Sequence, residues 1–159
     1  MKLKNPLIAV RDMQKSISFY KEVLRLHVVM DFGANVTLTG GLCLQTADNW
    51  LEFIAGKELS FGGNDSEIYF EEDDFDAFAK SLQELDIHYV HPVMEHRWGQ
   101  RVVRFYDPDL HIIEVGENMK TVCLRFLDSG MTGEQAAERM GVPLKFVTAC
   151  QKQRKIPLL

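Results

Sequence analysis

PLIAVRDMQKSISFYKEVLRLHVV, from Pro6 to Val29, returns 61 residues later as EIYFEEDDFDAFAKSLQELDIHYV, from Glu67 to Val90. In that alignment Ile8 falls on Tyr69, Asp12 on Asp73, Ile17 on Phe78, Leu24 on Leu85 and His27 on His88. Each copy opens with a short apolar run and continues with a carboxylate suited to capping the unpaired N–H groups of a following helix. Apolar residues at helical spacing come next: Ile17, Tyr20, Val23 and Leu24 in the first copy, Phe75, Phe78, Leu82 and Leu85 in the second. Leu26–Met30 and Ile87–Val90 then read as strands. Two copies fall short of the roughly three units a solenoid needs, so the repeat predicts a fused pair of small modules.

Outward from the repeat, NVTLTGGLCLQT and QRVVRFYDPDLHIIEV each read as a hairpin, with Gly40–Gly41 and the DPDL stretch at their turns. The predicted class is therefore α+β: paired βαβββ modules forming a cupped mixed sheet, at about residues 3–53 and 65–117 of a domain over 1–118. Period-two alternation puts Val102, Arg104 and Tyr106 on one face and Arg101, Val103 and Phe105 on the other. Glu114 shares a face with Ile112, and a carboxylate inside HIIEV needs a partner, a ligand or water. Arg101 and Arg104 are its candidate ion-pair partners.

The 159 residues suffice for one substantial core or two modest ones, and 46% hydrophobic with 26% charged residues is a globular balance. No segment reaches the roughly 18 apolar residues of a membrane span, and the N-terminus is too polar for a signal peptide. Cys43, Cys123 and Cys150 are odd in number and widely spaced, which predicts free thiols in a reducing cytoplasm. A net charge of -5 disfavours nucleic acid as a partner, although the tail carries Lys145, Lys152, Arg154 and Lys155. The acidic run from Glu71 to Asp76 reads as a helix entrance, since it lacks the glycine and distant glutamate of a calcium loop.

IAVRDMQKSISFYKEVLRL, EIYFEEDDFDAFAKSLQELDI and RVVRFYDPDLHIIEVGE together resemble the vicinal oxygen chelate superfamily, the glyoxalase, bleomycin-resistance and extradiol-dioxygenase group, over about residues 3–117. The resemblance implies paired βαβββ modules, frequent homodimers and a divalent metal held by four positions. Those positions fall here on Asn5, Gln45, Glu67 and Glu114. Two amides replace strong donors and no imidazole remains, so no tightly bound transition-metal cofactor is expected; Glu67 and Glu114 stay as weak candidates for magnesium or manganese.

As a glyoxalase-like lyase or isomerase acting on a small oxygenated, anionic metabolite, the chain would use Glu67 or Glu114 as base and His96 as proton relay, with His91 as a second candidate relay. Asn5, Gln45, Arg101 and Arg104 would bind substrate, and Trp98 would wall the site from a loop over the cup. Two alternatives stand beside this: a metal-free small-molecule binding or resistance protein, and a metal-dependent dioxygenase.

The segment 119–159 is additional to the paired modules. DSGMTGEQAAERMGVPLKFVTACQKQRK reads as a helical hairpin, its first helix capped by Thr132 with Gln135 three residues on, its break at Gly141 and its second helix opened by Pro143. Ala137, Gly141 and Val147 stand where a helix-turn-helix needs a small residue, a turn residue and a β-branched core residue. The motif alone lacks the further helix of a DNA-binding domain, so packing against the modules or a second subunit is the expectation.

Overall fold

The structure, a computed structural model, describes residues 1–154. Lys155 therefore lies outside the described residues. In chain order the elements are β1 (Leu7–Val10), α1 (Met13–Leu24), β2 (Val28–Asp31), β3 (Asn35–Leu38), β4 (Cys43–Thr46), α2 (Ala47–Phe53), β5 (Glu67–Glu72), α3 (Phe75–Leu82), β6 (Tyr89–Glu95), β7 (Arg101–Tyr106), β8 (Ile112–Glu117), α4 (Met119–Asp128), α5 (Gly133–Met140) and α6 (Leu144–Arg154). Two four-stranded mixed sheets result, with orders β1-β4-β3-β2 and β5-β8-β7-β6. The second order is the first with each strand replaced by its counterpart, so the repeat in sequence is a repeat in topology.

The copies differ in detail. Asp12 caps α1 by accepting from the Lys15 backbone N–H, whereas in the second copy Asp74, not Asp73, caps α3 by accepting from Ala77. β2 starts two residues later than the apolar run suggests, because Arg25 takes the left-handed conformation and the chain turns there before pairing. β6 extends through Pro92 to Glu95, which an edge strand tolerates because proline's missing N–H is not needed on the open side. Two helices were not read from the sequence: α2 and α4.

The described residues form two compact units, Met1–Glu67 with Tyr106–Ile112, and Ile68–Phe105 with the described residues from Ile113 on. In the first, Val10, Tyr20, Val36, Leu38 and Leu44 are fully or almost fully buried. Its polar centre is Asp107. One oxygen accepts the backbone N–H groups of Asp109 and His111, both at 2.9 Å, and the other accepts the Tyr20 hydroxyl at 2.8 Å, with His111 Nδ1 at 2.9 Å. The DPDL turn is thereby locked onto α1. Burial, and then the neighbouring Asp107, push the Tyr20 hydroxyl well above its ordinary pKa.

The second unit has a comparable centre in Glu117, which has no solvent exposure. Arg101 reaches it through Nε and Nη2, both at 3.1 Å, and Arg125 of α4 through Nη2 at 3.0 Å. Arg101 also donates to Asp76 of α3 at 2.6 Å, and Arg125 to the Gly99 carbonyl at 2.5 Å. Burial opposes the charge on Glu117, but the hydrogen bonds and positive charges of Arg101 and Arg125 outweigh it and hold the carboxyl below its ordinary value. Helices α4, α5 and α6 close a separate core of Val122, Cys123, Phe126, Ala136, Ala137, Met140, Val147 and Cys150. The three cysteines are free and buried, and Cys123 is pushed up to about 11 by burial and by the Cys150 thiol beside it.

Two stability outcomes follow from these centres. Tyr20→Phe removes a donor to a buried carboxylate and is expected to cost about 2 kcal/mol in urea unfolding; a loss within error of zero would remove Asp107 from its central place. Glu117→Gln strands two guanidiniums and should cost about 3 kcal/mol at pH 7. Because the folded carboxyl lies below its unfolded pKa of about 4.3, its contribution is present above that pH and lost as pH falls through the folded value. Thermal melts from pH 7 down to pH 3 should therefore show a shallower acid decline in Glu117→Gln than in wild type.

Candidate functional site

Strand β8 carries two glutamates on opposite faces, and the pairing partners on β7 follow the same alternation. Glu117 meets Arg101 on the helix-covered face, while Glu114 meets Arg104 on the other. Glu114 is 5% exposed, and its Oε2 faces Arg104 Nη2 in an ion pair without hydrogen-bond alignment. On the far side of the guanidinium, Arg104 Nη1 lies 3.2 Å from His91 Nε2, while His91 Nδ1 lies 2.8 Å from the Pro92 carbonyl. His91 and Arg104 are register partners across β6 and β7. The result is a polar row, His91–Arg104–Glu114, running across three strands.

A second row lies on the same sheet. Trp98 Nε1 donates to Gln100 Oε1 at 3.1 Å, Gln100 Nε2 donates to the Tyr69 hydroxyl at 2.8 Å and to the Glu117 carbonyl at 2.9 Å, and the Tyr69 hydroxyl donates to Glu71 at 3.2 Å. Gly116 makes room for this row: a Cβ there would come within 2.7 Å of Gln100 Nε2 and 3.1 Å of the Tyr69 ring. Burial raises the Tyr69 pKa, with Gln100 opposing and Glu71 reinforcing the rise, so the phenol stays protonated as a donor. Tyr69 is 46% exposed, which leaves its ring accessible to a ligand.

The remaining sequence-derived residues are dispersed. Asn5 is exposed and donates to the Gly41 carbonyl at 2.6 Å. Gln45 is buried with both ends of its amide engaged, accepting from Asn35 at 2.9 Å and donating to Asn49 at 2.6 Å. Glu67 is exposed and lines a recess of about 300 Å³ with Asn64, Asp65, Ser66 and Ile112. Arg101 is committed to Glu117 and Asp76. His91 and Glu95 belong to β6, so the expected rim loop shrinks to the turn around His96–Gly99. There His96 stacks on Trp98 at 4.1 Å between centroids, and Trp98 lines a groove of about 430 Å³ with Arg97, Arg139, Met140 and Gly141.

Of the named set, then, the structure joins Arg104 with Glu114 and His96 with Trp98. Tyr69, Glu71, Gln100 and Gly116 are additions. Their signal was present in the alternation of β5, where Glu67, Tyr69 and Glu71 are exposed and Ile68, Phe70 and Glu72 are half-buried.

A tightly held transition metal does not fit these donors. The Gln45 amide is spent on neighbouring amides, the Asn5 amide N–H on a carbonyl, and Glu114 is already opposed by a guanidinium. Among the described residues no three His, Cys, Asp or Glu side chains gather to hold an ion.

Comparison with known proteins places this geometry in a family. The family model for the Glyoxalase-like domain matches residues 3–120. A search of curated proteins returns no match. Among solved structures, a protein of unknown function from Agrobacterium tumefaciens str. C58 is 38% identical, with 74% of this chain and 94% of that one covered and a TM-score of 0.68. A glyoxalase/bleomycin resistance protein/dioxygenase from Nocardioides is 16% identical over 74% of this chain and 83% of that one, TM-score 0.62. A lactoylglutathione lyase from Agrobacterium tumefaciens is 22% identical over 74% of this chain and 94% of that one, TM-score 0.60. The chain belongs to the glyoxalase-like domain family of the vicinal oxygen chelate superfamily.

Proposed function

We propose that this chain binds a small oxygenated metabolite at the rim of the second sheet's face away from α3, where Tyr69 and Arg104 keep exposure, without a resident metal and without turning the ligand over. The observation that carries this reading is the Arg104–Glu114 ion pair. A carboxylate already paired with a guanidinium is engaged in that contact and is poorly placed to take a carbon-bound proton. The same arrangement is well suited to recognition. Arg104 is oriented from both sides by Glu114 and His91, and its side chain keeps 23% exposure. Tyr69 adds a phenol that both donates and accepts, on a ring half open to solvent. A ligand bearing a carbonyl or carboxylate beside a hydroxyl meets the chemistry of this row.

The lyase or isomerase reading retains Glu67 and Glu114 as bases and His96 as relay, and the dioxygenase reading requires a metal at the same positions. A homodimer is part of the proposal. Val28, Val29, Met30 and Phe32 on and beside the edge strand β2, and Val90, Val93 and Met94 on the edge strand β6, are large apolar side chains at 40% exposure or more, a pattern that edge strands avoid unless something covers them. No helix among the described residues is long and apolar enough to cross a membrane, and a cytoplasmic setting is proposed from the three free thiols.

Calorimetric screening of a library of hydroxy- and keto-acids, with product analysis and elemental analysis on the same preparations, tests the reading. Saturable binding without product or stoichiometric metal is expected, with affinity lost at least about tenfold in Arg104→Met. Turnover that collapses in Glu114→Gln, or one equivalent of nickel, zinc, iron or manganese lost in the same variant, would replace binding with metal- or base-dependent catalysis. Light scattering should give twice 18.2 kDa; a monomer across micromolar concentrations removes the dimer.

A further inference from the structure

We infer that α4, α5 and α6 form a DNA-binding helix-turn-helix unit, with α6 as the helix that enters the major groove of duplex DNA. The unit begins where the family domain ends: the glyoxalase-like match stops at residue 120. What the motif lacked in sequence was a third helix, and α4 supplies it by packing Val122, Cys123 and Phe126 into the same core as α5 and α6.

The spacing of this core matches its geometry. Counting from Gly133, the first residue of α5, Ala137 is fifth, Gly141 ninth and Val147 fifteenth. Ala137 is 8% exposed and small enough to let α5 and α6 approach. Gly141 ends α5 in the left-handed conformation at φ 66, accessible to glycine at little cost, and only Gly141, Val142 and Pro143 separate the two helices. Val147 is fully buried and Cys150 nearly so, which fixes the inward face of α6. The start of α5 is set by a capping box in which Thr132 accepts from Gln135 N–H and the Gln135 side chain accepts from Thr132 N–H. Three helices with a three-residue glycine turn between the last two are the framework by which such units present a helix to the groove.

The outward face of α6 fits the ligand. Lys145, Thr148, Ala149, Gln151 and Lys152 are all exposed, and α6 carries no carboxylate. Lysines meet phosphates, glutamine can bond adenine at two points, and threonine and alanine suit the thymine methyl group. The chain as a whole is at -5, yet residues 119–154 hold six basic side chains against Asp128, Glu134 and Glu138. Arg125 is engaged by Glu117 and Arg139 by the Arg97 carbonyl and Glu95, and Lys120 and Arg139 are exposed on α4 and α5; α6 adds the exposed Lys145 and Lys152 with no carboxylate beside them. Charge of one sign on one helix, on an otherwise acidic chain, concentrates DNA affinity at that surface.

Selection of binding sites by the full chain from a randomised duplex pool, followed by anisotropy titrations between 50 and 200 mM salt, decides the matter. An enriched sequence bound at least about 100-fold tighter than random duplex is expected. Lys145→Gln and Lys152→Gln should each weaken binding and lower the salt slope by about one, and Thr148→Glu should abolish it. Lys57→Gln, an exposed change in the first unit, should leave binding unchanged. All four positions are exposed, so thermal melts of the variants should match wild type and exclude misfolding. Absence of enrichment with wild type equal to Thr148→Glu, preference for single strands or RNA over duplex, or capture of a protein by the helices without DNA affinity would each overturn the inference.

Discussion

Glu117 is the constraint on which the second unit depends. Its carboxylate is fully buried, and an unpaired charge in such a place costs several kcal/mol. Arg101 from the neighbouring strand and Arg125 from α4 satisfy it, and those guanidiniums in turn reach Asp76 on α3 and the Gly99 carbonyl before the last hairpin strand. One carboxylate thus sets the positions of a helix over the sheet, the strand beside it and the first helix of the C-terminal cluster. Arg139 extends the arrangement from α5 to the Arg97 carbonyl and to Glu95, so the cluster is held by polar contacts as well as by the packing of Phe126.

Three residues earlier on the same strand, Glu114 has a different fate. Alternation turns it to the face away from α3, where its partner Arg104 belongs to the opposite parity of β7 from Arg101. The two glutamate–arginine pairs are alike in composition and unlike in setting. The pair beneath α3 is enclosed by further charges and holds the fold, whereas the pair on the other face ends in a histidine and lies on the sheet that carries Tyr69. The resemblance implies a ligating role for this final glutamate, and the guanidinium beside it is the observation on which the binding proposal rests. Fold membership alone would not have decided between these outcomes, since one scaffold hosts many reactions.

The two proposals taken together place a small-molecule domain and a duplex-reading unit on either side of the Glu117 network, where Arg101 and Arg125 meet. Coupling of the two requires two arrangements of that network with different ligand preference, because a ligand shifts an equilibrium only by its differential affinity for the states.

Much of the fold was legible before any coordinates. The 61-residue offset encodes two equivalent sheets, because a short strand, a capped amphipathic helix and alternating strands are local patterns that each sequence copy carries complete. The Thr132–Gln135 capping box and the Gly141 turn were legible for the same reason, since both depend on residues a few positions apart. Parity along β7 separated Arg101 from Arg104, and parity along the last strand put Glu114 with Ile112, while Glu117 went unread. Parity could not say which face the helices cover, nor that Arg104 would take Glu114 while Arg101 took Glu117 and Asp76. α4 went unread because its apolar spacing begins directly at the end of a strand, with only Asn118 between them to mark the change. The sequence by itself determined the local elements and their repetition; only the tertiary structure decided which charged side chain neutralises which, because those partners lie 10 to 25 residues apart in the chain and meet only when the strands and helices pack.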